Sequence, residues 1–342
     1  MKKSEPIIVS FFELEKWEEK YLQDKLSKFK NLSLNFFSTP LNNSILEKIK
    51  NTNIVAIFIY SQIDKKTLNK LPNLKFITTM STGFDHIDLG ECKRKNIKVS
   101  NVPYYGENTV AEHTFALILA LSRKISESIE RVKKYDFILT DLRGFDLKDK
   151  ILGLIGMGHI GQHVARMARG FEMRVMAFDP KKDMKLSRRF EVKYTSLKNL
   201  LATADIISLH APYNKKTHHL INKENIKLIK KGAYLINTAR GGLVETQALI
   251  MALDKKILAG AGLDVLEEEC FIKEEKELLA KPFQKKCDLK TILQDHLLIQ
   301  HPRVLVTPHN AFNSEEALRR ILDTTVGNIK SYLKGKPINL IK

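Results

Sequence analysis

Three short segments in the second half of the chain carry side chains that can hold an anion and move a proton. In LINTARGG (235–242) an apolar, strand-like run ends in small residues and one arginine. A guanidinium placed there can take a carboxylate through paired hydrogen bonds. In GAGLDVLEEE (260–269) a second small-residue run ends in Asp264 and then in Glu267, Glu268 and Glu269. In VTPHNAF (306–312) His309 follows an apolar run and a proline. A carboxylate that reaches His309 raises the imidazole pKa and keeps a proton available near neutral pH, which makes such a pair a tuned acid and base. Each segment also has a plainer reading: Arg240 as a surface ion pair, the glutamates as a solvated charge run, His309 as a structural histidine. The chemical reading requires elements that bring all three segments to one place.

The stretch 151–179 (ILGLIGMGHIGQHVARMARGFEMRVMAFD) says what those elements are. An apolar run leads into Gly156-x-Gly158-x-x-Gly161, an amphipathic segment follows, and a second apolar run ends at Asp179. This is the strand, glycine turn, helix, strand order of a dinucleotide-binding unit. Gly156 permits the tight turn, Gly158 lets the backbone approach a pyrophosphate, and Gly161 lets helix and strand pack closely. The phosphates would rest on the amides near His159 and Ile160, where the helix dipole favours anions. An acidic residue 18 positions after Gly161 completes the pattern. Such units commonly open a chain. This one follows about 150 residues of other sequence, so another domain precedes it.

That first part alternates short apolar runs (7–12, 32–37, 54–60, 74–80, 98–102) with helical patterns (15–29, 43–50, 65–71, 88–96), the mark of a parallel α/β sheet. A long helical stretch, 107–137, shows Val110, Phe115, Leu117, Ile118, Leu121 and Ile125 on its apolar side. After a polar link (142–150) the glycine unit opens a second series, with strands at 206–210, 233–238, 258–265 and 304–307. A helix at 315–333 closes the chain. The charged, helical 267–301 region reads as an insertion over the surface. The expected fold is α/β: two doubly wound parallel-sheet domains, the second inserted into the first, with a cleft between them for ligands. The expected boundaries are 1–103 with 309–342 for one domain and 104–308 for the other.

Composition narrows the classes. At 342 residues the chain has room for two full cores, and it has no run of about 18 apolar residues to span a membrane. The start, MKKSEPIIVSFF, resembles a signal peptide only superficially: Glu5 and Pro6 interrupt it and acidic residues follow at once, so a first strand is expected. Cys92, Cys270 and Cys287 suggest neither a disulfide framework nor a zinc pattern and fit a reducing cytoplasm. No metal is expected. The net charge of +18 would suit a polyanion, but the excess is mostly lysine scattered over the helices, without an arginine-rich or aromatic-interleaved stripe. It reads as a solvated surface, with no specific nucleic acid and no membrane as partner.

GMGHIG with Asp179, HAPYNKKTHHLIN, INTARGG, AGLDVLEEE and TPHNAF together resemble the D-2-hydroxyacid dehydrogenase family, as do STGFDHID (81–88) and NVPYYGENTVAEHTFALILAL (101–121). The likeness spans nearly the whole chain in the family's motif order. The TPHNAF ending and the preceding insertion look most like D-lactate dehydrogenases. The resemblance implies a Rossmann-like NAD domain inserted into a flavodoxin-like substrate domain. It implies Arg240, Glu269 and His309 as the catalytic set: arginine to bind and polarise the substrate, histidine to give and take the proton, glutamate as its partner. It places Gly156, Gly158, His159, Ile160, Gly161, Asp179, Pro212, Thr217, Thr238, Ala239 and Asp264 against the cofactor, Asp264 on the nicotinamide amide. Thr82 and Gly83 would offer amides to the substrate carboxylate, and Tyr105 and Phe312 would line a small pocket. Position 159 often holds arginine in the family, so His159 weakens the charge-based grip on the pyrophosphate. Asp179 can accept from both ribose hydroxyls of NAD and repels the 2′-phosphate of NADP, an effect that Lys181 and Lys182 partly offset.

The reaction implied is reversible reduction of a small 2-oxo acid, with pyruvate and D-lactate as the favoured pair. Glyoxylate, hydroxypyruvate, a longer 2-oxo acid or phosphite are the alternatives within the same chemistry. A corepressor-like NAD-sensing interaction protein is the alternative outside it. The resemblance also implies a homodimer, with the helix from Glu107 as the candidate interface.

Overall fold

A computed structural model describes residues 6–29, 31–267 and 289–341. The chain forms two compact units, Met1–Tyr105 with Ser314–Lys342, and Gly106–Asn313. The return to the first unit comes at Ser314, past His309.

In the first unit, strands β1 (Ile7–Phe11), β2 (Leu32–Phe36), β3 (Ile54–Ile57), β4 (Phe76–Thr79) and β5 (Lys98–Ser100) alternate with helices α1 (Lys16–Leu26), α2 (Asn43–Lys48), α3 (Lys65–Asn69) and α4 (Leu89–Arg94). The sheet is parallel throughout, in the order β2-β1-β3-β4-β5. The helices expected from 15 and 88 begin one residue later because those two residues are caps, whereas those expected from 43 and 65 begin there. Asp88 accepts from the Glu91 amide at 2.9 Å, and Glu15 forms a capping box with Glu18. Val55, Ile57, Ile77, Leu68 and Leu71 are buried in one cluster. The last helix of the chain, α12 (Glu315–Leu333), closes this unit. It buries Ile321, Leu322, Val326 and Ile329, and stacks Tyr332 on Phe76 with ring centroids 4.3 Å apart.

The second unit opens with α5 (Glu107–Ser122) and α6 (Ile125–Lys133). One helix over 107–137 was the expectation, and two are found. Lys124 adopts a left-handed conformation (φ 51°), and the Ser122 carbonyl turns to the amide of Phe145 at 2.9 Å. Ala111, Phe115, Leu117 and Ile118 are core residues, whereas Ile125 is exposed.

Strands β6 (Ile151–Ile155), β7 (Arg174–Phe178), β8 (Val192–Tyr194), β9 (Ile206–Leu209), β10 (Ala233–Asn237), β11 (Leu258–Leu263) and β12 (Val304–Val306) follow. Between them lie α7 (His159–Gly170), α8 (Met184–Phe190), α9 (Leu197–Thr203), α10 (Thr246–Asp254) and α11 (Leu289–Gln300). All pairings are parallel, in the order β12-β11-β10-β9-β6-β7-β8. The strand order reverses between β6 and β9, as in a doubly wound sheet. Alternate side chains enter two cores: Ile207, Leu209 and Leu235 one, Ile206 and Ile236 the other. The short strand β8 has no counterpart among the sequence expectations. Helix α11 corrects another of them. It falls in the region expected to lie over the surface, yet Ile292, Asp295 and Leu298 are buried, Leu298 within the core beside α10.

Candidate active site

Each unit's expected site residues follow the carboxyl ends of its strands, the edge where parallel sheets bind ligands. In the second unit Gly156, Gly158 and Gly161 follow β6, Asp179 follows β7, and Pro212 and Thr217 follow β9. Thr238, Ala239 and Arg240 follow β10, Asp264 follows β11, and His309 and Phe312 follow β12. In the first unit Thr82 and Gly83 follow β4, and Tyr105 follows β5.

The glycine turn has three positions with different physical reasons. Gly156 has φ +102°, and a Cβ on it would sit 2.7 Å from the His210 carbonyl. A Cβ on Gly161 would lie 2.3 Å from the Gly156 carbonyl oxygen. Gly158 is different: it has φ −66°, and nothing lies within 4 Å of where its Cβ would be. It is also the N-cap of α7 and contributes no side chain to the first amides of that helix. Asp179 braces the turn, accepting from the Met157 amide on Oδ2 and the Lys181 amide on Oδ1, both at 2.8 Å. His210 brings no charge to the turn. Burial pushes its imidazole down to about 3, and its Nε2 lies 2.8 Å from Ser208 Oγ.

The loop after β9 is tied by Thr217, whose Oγ1 donates to the Pro212 carbonyl at 2.7 Å and accepts from the Asn214 amide at 2.8 Å. After β10, buried Asn237 organises the arginine turn. Its Nδ2 donates to the Arg240 carbonyl at 2.9 Å and its Oδ1 accepts from the Ala239 amide at 3.1 Å. Buried Thr238 meets Thr114 of α5, oxygen to oxygen at 3.0 Å. The backbone at Gly241 passes so close to Leu266 and Glu267 that a side chain there would collide with them. The arginine and glutamate segments therefore meet.

Glu267 is already committed. Its Oε1 lies 2.5 Å from His219 Nε2, while Oε2 accepts from the Thr246 amide at 3.2 Å and hydroxyl at 2.8 Å. This clasp was absent from the sequence expectations, and the charge run offered no sign of it. Glu268 and Glu269 lie outside the described residues.

Asp264 is buried, and it organises the histidine loop. Its Oδ1 accepts from the Thr307 hydroxyl at 2.5 Å and the Asn310 amide at 3.0 Å, and its Oδ2 from the Ala311 amide at 2.9 Å. Burial pushes this carboxyl up, but the nearby His113 ring, the Thr307 hydroxyl and the Ala311 amide outweigh it and hold Asp264 below the usual carboxylate range. His309 sits inside the anchored loop in a left-handed conformation (φ 52°), with its amide on the Thr307 carbonyl at 2.9 Å. That conformation costs a non-glycine residue about 1–2 kcal/mol, which the anchors must offset. Register fixes how Arg240 and His309 emerge: Asn237 pairs with Leu263, and Leu263 with Val306. Each of the two lies three positions beyond that row, after strands two spacings, about 10 Å, apart.

In the first unit, Thr82 donates from its hydroxyl to the Val102 carbonyl at 2.9 Å, and its own carbonyl accepts from Asn101 Nδ2 at 2.8 Å. Ser81 Oγ donates to the Gly83 carbonyl at 2.7 Å, and the Tyr105 carbonyl accepts from Arg320 Nε at 2.7 Å.

Comparison with known proteins now decides the family. The profile described as "D-isomer specific 2-hydroxyacid dehydrogenase, NAD binding domain" matches residues 115–311. The chain belongs to the D-2-hydroxyacid dehydrogenase family. A 2-hydroxyacid dehydrogenase homolog of Zymomonas mobilis is 37% identical over 307 residues, covering 88% of this chain and 89% of that one. A glyoxylate reductase of Thermofilum pendens is 35% identical, covering 87% and 83%. The solved D-lactate dehydrogenase of Aquifex aeolicus, in complex with NAD and lactic acid, superposes with a TM-score of 0.86 at 38% identity, covering 96% of each chain.

As a D-2-hydroxyacid dehydrogenase, the protein is an NAD-dependent oxidoreductase. The second unit fits that cofactor on its own terms. The space beside Gly158 is what a pyrophosphate needs, and buried Asn310 Oδ1, next to His309, finds no donor among the described residues. No described helix is long and apolar enough to cross a membrane, and no described cluster of His, Cys, Asp or Glu could hold a metal ion.

Proposed function

We propose that the protein reduces a small 2-oxo acid, pyruvate in preference to others, to the D-2-hydroxy acid, and runs the reverse reaction on D-lactate. The observation that carries this reading is the matched emergence of Arg240 and His309 from β10 and β12 on either side of Asp264. The bound nicotinamide supplies the hydride. Arg240 holds the carboxylate and polarises the carbonyl, as a planar guanidinium can and an ammonium cannot. His309 gives its proton to the carbonyl oxygen, and Glu269 keeps that proton available. Thr82 and Gly83 offer amides to the carboxylate, and Tyr105 and Phe312 restrict the side chain. The cofactor rests on Gly156, Gly158, His159, Ile160 and Gly161, with Pro212, Thr217, Thr238 and Ala239 along it and Asp179 on the ribose. Asp264 has one acceptor position left on Oδ2 for the carboxamide, since a carboxylate offers about four. Support for pyruvate comes from the lactic acid held by the Aquifex relative.

The test is NADH oxidation across pyruvate, glyoxylate, hydroxypyruvate and branched 2-oxo acids, with an NADPH arm. We expect pyruvate to lead, His309→Ala to cut turnover about a hundredfold or more, and Arg240→Lys to be severely impaired. Near-full activity of His309→Ala removes the proton role, and equal kinetics for Arg240→Lys removes the anchor. NADH binding without reduction of any acid favours an NAD-sensing role instead.

We also propose a cytoplasmic homodimer. Free, buried Cys92 suits a reducing compartment. Helix α5 is largely core, so the interface is assigned to the exposed apolar residues of α6 and the segment after it: Ile125, Ile129, Val132, Tyr135, Phe137 and Leu139.

A further inference from the structure

His113 lies on the inward side of α5, in phase with Val110 and Leu117, where an apolar residue would be expected. Its Nε2 is 3.0 Å from Thr307 Oγ1 and 3.5 Å from Asp264 Oδ1. The Thr307 hydroxyl has one hydrogen, and it is directed to Asp264. An ionised carboxylate can only accept. The Thr307 oxygen must therefore accept from His113, which fixes a hydrogen on Nε2 and orders one chain of donation from His113 through Thr307 to Asp264. Asp264 in turn receives the Asn310 and Ala311 amides. His309 lies between these anchors in its left-handed conformation. The next residue of α5, Thr114, meets Thr238 two positions before Arg240. Consecutive residues of one helix thus brace both functional loops.

We propose that His113 is a positioning residue for His309: through Thr307 and Asp264 it fixes the left-handed turn that aims the imidazole at the substrate. This rests on the assignment of His309 as the proton carrier.

The experiment compares His113→Phe, Thr307→Val and the conservative His113→Gln, whose side-chain amide can still donate to Thr307. Steady-state kcat and KM for the best 2-oxo acid, NADH affinity by fluorescence and thermal midpoint are read for each. The first two variants should lower kcat about tenfold or more, with KM and NADH affinity unchanged. His113→Gln should recover most of that loss. The double variant His113→Phe/Thr307→Val should be no worse than either single one, since both cut the same chain. The isotope effect on kcat with deuterated NADH should rise in the slow variants, showing that the chemical step is affected.

Unchanged kcat in both single variants overturns the proposal. So does a loss that parallels NADH affinity or folding and that glutamine fails to recover, since the role is then structural. If His309→Ala is inactive while His113→Phe is fully active, this proposal alone fails. If His309→Ala keeps wild-type turnover, the reading beneath it fails as well.

Discussion

Gly158 has no internal reason to be glycine: its backbone angles suit any residue, and a methyl group there would enter empty space. Gly156 is glycine for two internal reasons, its positive φ and the His210 backbone against it. The two alanine variants should therefore separate ligand from fold. Gly158→Ala should keep the wild-type thermal midpoint and weaken NADH binding about tenfold or more, because the methyl group takes the space of the phosphates. Gly156→Ala should lower the thermal midpoint itself, a strained substitution that costs more than 1 kcal/mol. Unaltered NADH affinity in Gly158→Ala, measured by fluorescence quenching, would show that the phosphates bind elsewhere. The spacing of these glycines was legible from the sequence alone, as were Arg240 and His309. His113 was not singled out, although a polar residue in an apolar helical phase was the available sign. Its partners, Thr307 and Asp264, are 194 and 151 positions away, and no local pattern reports such a meeting.

Among the elements, the strands other than β8 and the bounds of the closing helix were readable, whereas several other helix ends were not. Ends are decided by caps such as Asp88 and by backbone reversals such as Lys124, each a matter of one residue. Helix α11 shows a different failure. Its charged neighbourhood pointed to the surface, whereas the packing of α10 and β12 draws Leu298 into the core. Leu298→Ala should accordingly cost about 2–5 kcal/mol in denaturant unfolding, and Leu293→Ala, on the exposed side, well under about 1 kcal/mol. Equal, small costs for both would return this helix to the surface.

For the molecule as a whole, α6 and the segment after it expose a run of large apolar side chains on a chain of net charge +18, and exposed apolar patches mark interaction surfaces. The wild type should sediment as a dimer at micromolar concentration. The double variant Ile129→Asp/Val132→Asp should shift it toward monomer while NADH binding survives, because no cofactor position lies on α6. A monomeric wild type would remove this assignment. The apolar pattern of 107–137 reads as one helix whose stripe is either interface or core. The break at Lys124 separates the buried apolar residues of α5 from the exposed ones of α6.

The sequence by itself determined the alternation of strands and helices, the two sheets, the dinucleotide turn and the segments that carry Arg240 and His309. These follow from short-range periodicity and from residue types with few substitutes. Only the tertiary structure decided which carboxylate is committed to what. Glu267 is clasped by His219 and Thr246, and Asp264 holds the loop of His309 with help from His113. The reason is physical: hydrogen bonds at 3 Å are made between residues that the chain brings together from far apart, and spacing along the sequence does not encode which of several equivalent carboxylates will be reached.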